Sequence, residues 1–277
     1  MSQESTKDLL ARHGLAPKSS FGQNFLQDRN LTDKLAALCA PDGATVLELG
    51  AGLGALTGPL LQRGARVIAV ERDRDLVPVL RVEFADAVEQ GRLVLVEADA
   101  KAVDPAKILA PFPAPRVLCG NLPYNITGPL IENAVKASGA LDRVVFLVQL
   151  EVADRLASSP GGEDYGALSV FVQAAYRVER PLVIRRGAFY PQPRVDSAVV
   201  VFTPQAERVA ETDAFRALVK AAFSQRRKKL RNAWQRVLGH SSAEIEGAAE
   251  RAGINLESRG ETLGVAAFAA MAHELGR

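Results

Sequence analysis

Five short apolar runs, each followed by a stretch of helical spacing, constrain the fold of this chain more than any other feature. "ATVLEL" (44–49), "ARVIAVE" (65–71), "RLVLVEAD" (92–99), "RVLCGN" (116–121) and "DRVVFLVQ" (142–149) are nearly continuous in their hydrophobicity, as strands buried on both faces are. Between them, "RDLVPVLRVEFADAV" (74–88) and "GPLIENAVKAS" (128–138) repeat apolar residues at helical intervals. This alternation predicts an α/β fold, an open sheet covered by helices. "PLVIRRGAFYPQPRVDSAVVVFTP" (181–204) differs, since two strand-like runs flank a proline-rich turn, and it predicts a closing antiparallel pair at the sheet edge. After Pro204 the pattern is helical, beginning with residues 212–238 behind Thr212 as a capping residue. A boundary is therefore expected at 204–211, dividing the chain into domains 1–207 and 208–277.

Composition excludes several classes. With 48% apolar and 24% charged residues the chain is an ordinary globular protein, and its 277 residues exceed what one domain usually holds. No apolar stretch approaches the roughly 20 residues of a membrane span, and the polar start "MSQESTKDLL" lacks the apolar centre of a signal peptide. A cytoplasmic location and no membrane partner are expected. Cys39 and Cys119 form no CxxC, and His13, His240 and His273 are scattered, so neither a disulfide framework nor a metal site is expected. The net charge of +2 hides one uneven stretch: "QRRKKLRNAWQR" (225–236) carries six cations and no anion. An anionic partner is expected at Arg226, Arg227, Lys228, Lys229 and Arg231, read as a basic helix.

Four strand ends carry chemistry. "LELGAGLGALTGPL" (47–60) is a glycine-rich turn between strand and helix, with Gly50, Gly52 and Gly54 at alternate positions. Such a turn lets backbone approach a ligand without Cβ obstruction, and its spacing is not the GxGxxG of dinucleotide binding. Glu71 ends the second strand, 21 positions beyond Gly50, where a carboxylate can accept both hydroxyls of a ribose. Asp99 ends the third, at a height suited to an exocyclic amine on adenine. Either acid alone reads first as a solvated strand end or a helix cap; with the glycines they describe a nucleoside pocket. The fourth strand ends in "GNLPYNIT" (120–127). There the Asn121 amide oxygen and the Leu122 carbonyl can accept the N–H groups of an aromatic amine, localising its lone pair toward an electrophilic methyl group. Pro123 fixes the turn and Tyr124 offers a face for a base. "SSFGQNFLQD" (19–28) reads either as a helix start capped by Asp28 or Asn30, or as a flap over a cofactor.

Taken in order, "FGQNFL", "ELGAGLGALT", "VIAVERD", "EADA", "GNLPYNIT", "FYPQPRVDSAVV" and "AFSQRRKKLRN" resemble the blocks of the KsgA/RsmA type of ribosomal RNA adenine dimethyltransferase. The resemblance implies a Rossmann-like class I S-adenosylmethionine-dependent methyltransferase domain, a mostly parallel seven-stranded sheet, with a small all-helical C-terminal domain that binds RNA. It implies N6,N6-dimethylation of two adjacent adenosines in a hairpin near the 3′ end of 16S rRNA, within a small ribosomal subunit or its precursor, by a monomer. By motif, Asn24 and Leu26 would contact the cofactor from the flap, Gly50 would meet its methionine part, and Gly52 would belong to the same cofactor site. Glu71 would hold the ribose, Arg72 would belong to the same cofactor site, Asp99 and Ala100 would meet the adenine end, and Asn121 the border with the target base. Ala51 stands where the family pattern has proline. Rival readings are a large-subunit adenine methyltransferase, an inactive RNA-binding relative and a nicotinamide dehydrogenase, the last disfavoured by the glycine spacing.

Overall fold

The computed structural model describes residues 5–225 and 227–276. Seven strands form the main sheet: β1 (Thr45–Leu49), β2 (Arg66–Glu71), β3 (Leu93–Glu97), β4 (Arg116–Asn121), β5 (Arg143–Gln149), β6 (Tyr176–Ile184) and β7 (Ser197–Pro204). Their spatial order is β3-β2-β1-β4-β5-β7-β6. The first five run parallel, and β7 pairs antiparallel with β5, from Val144↔Phe202 to Gln149↔Ser197. Each of the five apolar runs became a strand within two residues of its expected ends. The antiparallel addition also forms, with the later strand β7 lying inside and β6 at the edge.

The order reverses direction between β1 and β4, whose carboxyl ends therefore flank the crevice where open parallel sheets bind ligands. Close approach at that point fixes one residue type. A Cβ added to Gly120 would overlap the Leu49 carbonyl oxygen on β1, and a backbone atom within a sheet cannot move aside. Gly120→Ala is expected to destabilise the sheet by roughly 2–4 kcal/mol, read as a lower urea midpoint. An unchanged midpoint would show that the two strand ends are not in fixed contact.

Backbone contacts sort the chain into two units, Met1–Ala153 with Glu179–Pro204, and Asp154–Val178 with Gln205–Arg277. The single cut expected between 207 and 208 is corrected by this grouping, because residues 154–178 join the later helices. The reason is hydrophobic. Val170 and Ala174 of the helix Ala167–Ala175 pack with Phe215, Leu218 and Phe268 around Trp234, whose indole N–H donates to the Leu218 carbonyl at 2.9 Å. The first unit has its own core of Val46, Val67, Val117, Val145 and Val199 beneath Leu35 and Leu60. Among the described residues no helix is long and apolar enough to cross a membrane.

The basic helix is also corrected. The helix Asp213–Phe223, capped by Thr212 as expected, ends before the cations, and among the described residues of the basic segment 225–236 the α-helix is confined to Leu230–Ala233. Lys229 instead forms a bridge with Arg259, and the N–H groups of Leu230 and Arg231 donate to Ser258 and Leu256 carbonyls at 2.8 and 2.9 Å. The backbone of the turn at 256–258 thus takes the hydrogen bonds a continuous helix would need.

Candidate active site

The glycine-rich turn leaves β1 through Gly50 and Gly52, at φ of 74° and 59°, a conformation that glycine adopts without strain. Gly50 and Ala51 donate their N–H groups to the Val70 carbonyl at 2.8 and 3.2 Å. Glu71, at the end of β2, completes the clamp: its two carboxylate oxygens accept the N–H of Gly52 and of Asp73, each at 2.8 Å. Burial pushes this carboxyl above its ordinary range, against the pull of those backbone bonds. Glu71 is therefore more than a strand end; it sets the shape of the turn that it faces.

The turn after β4 abuts the first glycine, for a Cβ on Gly50 would sit 3.7 Å from the Asn121 carbonyl oxygen and 3.9 Å from Pro123. The Leu122 N–H is tied to the Leu147 carbonyl at 3.0 Å, and the Pro123 carbonyl accepts from Ile126 N–H and the Thr127 hydroxyl, both at 3.1 Å. Asn121 donates its amide nitrogen to the Asn24 carbonyl at 2.9 Å, while its Oδ1 has no partner among the described residues. The amide thus presents an unused acceptor from the cleft wall. Tyr124 is fixed at its far end, its hydroxyl 2.8 Å from that of fully buried Ser197 on β7, and burial raises its pKa above the ordinary phenol value.

Residues 19–28 both cap a helix and line the cleft. Asp28 caps the helix Arg29–Cys39 by accepting the Leu31 N–H, and the preceding segment folds over the cleft. Phe25 and Leu26 pair antiparallel with Tyr190 and Phe189. Lys18 reaches Asp73 and Asp75, each at 2.6 Å, and the Gln23 amide donates to Asp73 at 2.8 Å. Burial works to raise the Asp73 carboxyl, but the Lys18 and Gln23 bonds outweigh it and hold the pKa low. Arg72 lies 5.2 Å from the centre of the Phe21 ring and 3.4 Å from Asp99, linking flap, β2 and β3. Asp99 itself caps the short turn Ala100–Ala102 by accepting the Lys101 N–H.

One cleft of about 1100 Å³, solvent mouth included, gathers Asn24, Leu26, Gly50, Gly52, Glu71, Arg72, Asp99, Ala100, Asn121, Leu122, Pro123 and Tyr124. All the residues expected at the cofactor and the reacting amine are therefore brought together. Glu48 also lines it and was not among them. It is 2% exposed, and burial pushes its carboxyl up to about 8, against a 2.6 Å bond from the Thr57 hydroxyl and with help from the Glu71 charge. Its only signal is an acid inside the apolar run "VLELG". Ser197 likewise went unassigned, although "PRVDSAVV" contains it.

The expected RNA-contacting cations fare differently. Arg226 lies outside the described residues. Arg231 is paired with Glu246 and Glu257, and Lys229 with Glu257 at 2.8 Å. Arg227 and Lys228 are exposed and have no side-chain ion pair among the described residues.

A parallel sheet of this order with one antiparallel strand inserted beside its edge, open at a glycine turn and two acids that suit a nucleoside without a pyrophosphate, defines a class I S-adenosylmethionine-dependent methyltransferase. The family profile described as "Ribosomal RNA adenine dimethylase" matches residues 14–275. The chain belongs to that family. It is 47% identical to the ribosomal RNA small subunit methyltransferase A of Anaeromyxobacter sp. (strain K), over 98% of both chains. The protein of the same name from Myxococcus xanthus is 42% identical, over 99% of this chain and 96% of that one. Among solved structures, a dimethyladenosine transferase from Plasmodium falciparum shares the fold at a TM-score of 0.72 and 24% identity, covering 89% of this chain and 95% of that one. The 23S rRNA methyltransferase ErmE aligns at 0.67 and 25% identity, over 92% and 100%.

Proposed function

We propose that the chain dimethylates N6 of two adjacent adenosines in a hairpin near the 3′ end of 16S rRNA, on a small ribosomal subunit or its precursor. The observation that carries this reading is the polarised Asn121 side chain. Its nitrogen is occupied by the Asn24 carbonyl and its oxygen is left for an N–H donor in the cleft. An adenine amine is such a donor, and Tyr124, held by Ser197, supplies a face on which the base can stack.

S-adenosylmethionine, when bound, supplies the electrophilic methyl group. The residues present fit it: glycines at 50 and 52 leave room for close backbone approach, and Glu71 retains lone pairs beyond its two backbone bonds for ribose hydroxyls. Asp99 and Ala100 would hold the adenine end, and Asn24 and Leu26 would cover it from the flap. The Asn121 oxygen and the Leu122 carbonyl orient the target amine so that its nitrogen lone pair points out of the ring plane. The amine sheds its proton after attack, so positioning rather than a strong base supplies the rate. Arg227 and Lys228 are free to meet RNA phosphates, whereas Lys229 and Arg231 already have carboxylate partners.

Two measurements test the reading. Calorimetry should show saturable binding of S-adenosylhomocysteine and none of NAD; the reverse pattern would overturn the cofactor assignment. Mapping of dimethyladenosine in rRNA from cells with and without this protein should show the modification lost at two adjacent positions of the small-subunit RNA, and an unchanged map would overturn the substrate.

A further inference from the structure

The connection between β6 and β7 is anchored to the site at both ends. Phe189 and Tyr190 pair with the flap residues Leu26 and Phe25, and the Gln27 N–H donates to the Ala188 carbonyl at 2.9 Å. At the other end Ser197 holds the Tyr124 hydroxyl. The connection carries three exposed arginines, Arg185 and Arg186 just before the first anchor and Arg194 between the two, and a single carboxylate, Asp196. That carboxylate is fully engaged locally. It accepts the Arg186 backbone N–H at 2.9 Å and pairs with the Arg185 guanidinium at 2.7 Å, and these bonds hold its pKa below the usual carboxylate range.

Two guanidinium groups, Arg186 and Arg194, form no ion pair among the described residues, although the Arg186 charge helps to hold the Asp196 carboxyl low. Arg194 has no side-chain hydrogen bond or ion pair among the described residues, and Arg186 reaches only the Arg194 carbonyl, at 3.5 Å. Both are close to the chemistry. Arg194 stands three positions from Ser197 and Arg186 three positions from Phe189, and three steps of chain span at most roughly 11 Å. A nucleotide turned out of its stack toward Tyr124 brings its own flanking phosphates to the rim of the cleft, where planar guanidinium groups bind them well.

We infer that Arg186 and Arg194 form a phosphate-binding rim that holds the RNA strand on either side of the target adenosine. The inference rests on the RNA-methylating function proposed above. It places the phosphate contacts that position the reacting base on the methyltransferase unit itself, beside Tyr124.

The double variant Arg186→Gln/Arg194→Gln tests it, against a control, Arg63→Gln/Arg81→Gln, which removes two exposed arginines elsewhere on the same unit. The probe is a hairpin RNA with two adjacent unpaired adenosines, titrated over a series of salt concentrations. Affinity of the double variant should fall roughly tenfold, and its log-log salt slope should become shallower by about 1.5, corresponding to two lost phosphate contacts. S-adenosylhomocysteine affinity should stay at the parent value, and the control should keep the parent slope. A parent slope in the double variant, an equal change in the control, or loss of S-adenosylhomocysteine binding would each overturn the inference. Parent protein that transfers no methyl group to RNA would instead overturn the proposed function, and this inference with it.

Discussion

Asn121→Ala is expected to slow methyl transfer to RNA by on the order of 10²-fold or more, with a much smaller loss of cofactor affinity. The alanine removes the unpartnered side-chain oxygen that the end of β4 offers to the amine, an interaction whose value grows as the amine attacks. It also removes the donor to the Asn24 carbonyl, 2.9 Å away in the parent, so the flap loses one of its ties and some cofactor affinity should go with it. The ties from Lys18 and Gln23 to Asp73 are untouched, which is why the cleft should still close over S-adenosylhomocysteine. Single-turnover methylation together with calorimetry separates the two effects. A variant that methylates RNA at close to the parent rate would reduce "NLPY" to a turn with no part in the reaction.

Glu48→Gln should change how stability depends on pH. The parent carboxyl has a folded pKa of about 8 against an ordinary value of 4.5, because it is buried beside Glu71 with one hydroxyl bond from Thr57. Between those two values the folded chain holds a proton that the unfolded chain has released, so the contribution to stability is full below about pH 4.5, falls as pH rises, and levels off above pH 8. The span corresponds to on the order of 5 kcal/mol. Glutamine keeps the size and an acceptor for Thr57 but never ionises, so the variant should lack this loss and outlast the parent in urea at pH 9, with little difference at pH 4. Glu71 and Cys119, whose pKa values burial also raises, stay in both proteins, and because each faces the Glu48 charge its removal eases their ionisation and favours the variant in the same direction at high pH. Parallel pH profiles for parent and variant would show that Glu48 ionises without cost in the folded chain.

Much of the first unit was legible in the sequence because a strand buried on both faces leaves a continuous apolar run, and five such runs ending in glycine, acid or amide name their own sheet edge. The cleft residues followed from those endings, and family resemblance supplied their roles. The second unit was less legible. Nothing in "SQRRKKLR" marks the backbone pairing of Lys229 with Arg259, since the partner segment lies about thirty residues away and its pull is tertiary. The same limit hid the place of residues 154–178, whose apolar residues could not be assigned to either core before the cores existed. Glu48, two positions before the first glycine, speaks in the sequence only against a pyrophosphate at the turn, and its burial was hidden for a different reason. In a sequence an acid within a strand looks like spacing, and only the burial around it turns it into a titrating group.

Glu71 carries a consequence for how this pocket can evolve. The two oxygens that would read a ribose are also the two that pin Gly52 and the chain at Asp73. Aspartate at 71 is too short to hold both N–H groups, glutamine keeps only one acceptor oxygen, and any apolar residue leaves both donors bare. Selection for a different nucleotide would therefore act first on the loop's shape and only then on recognition, so single-step drift at this position is closed. A lineage that changes its cofactor must first rebuild the glycine turn by other bonds, and the route to new chemistry on this scaffold runs through the flap and the turn after β4, where side chains can vary without unfastening the floor.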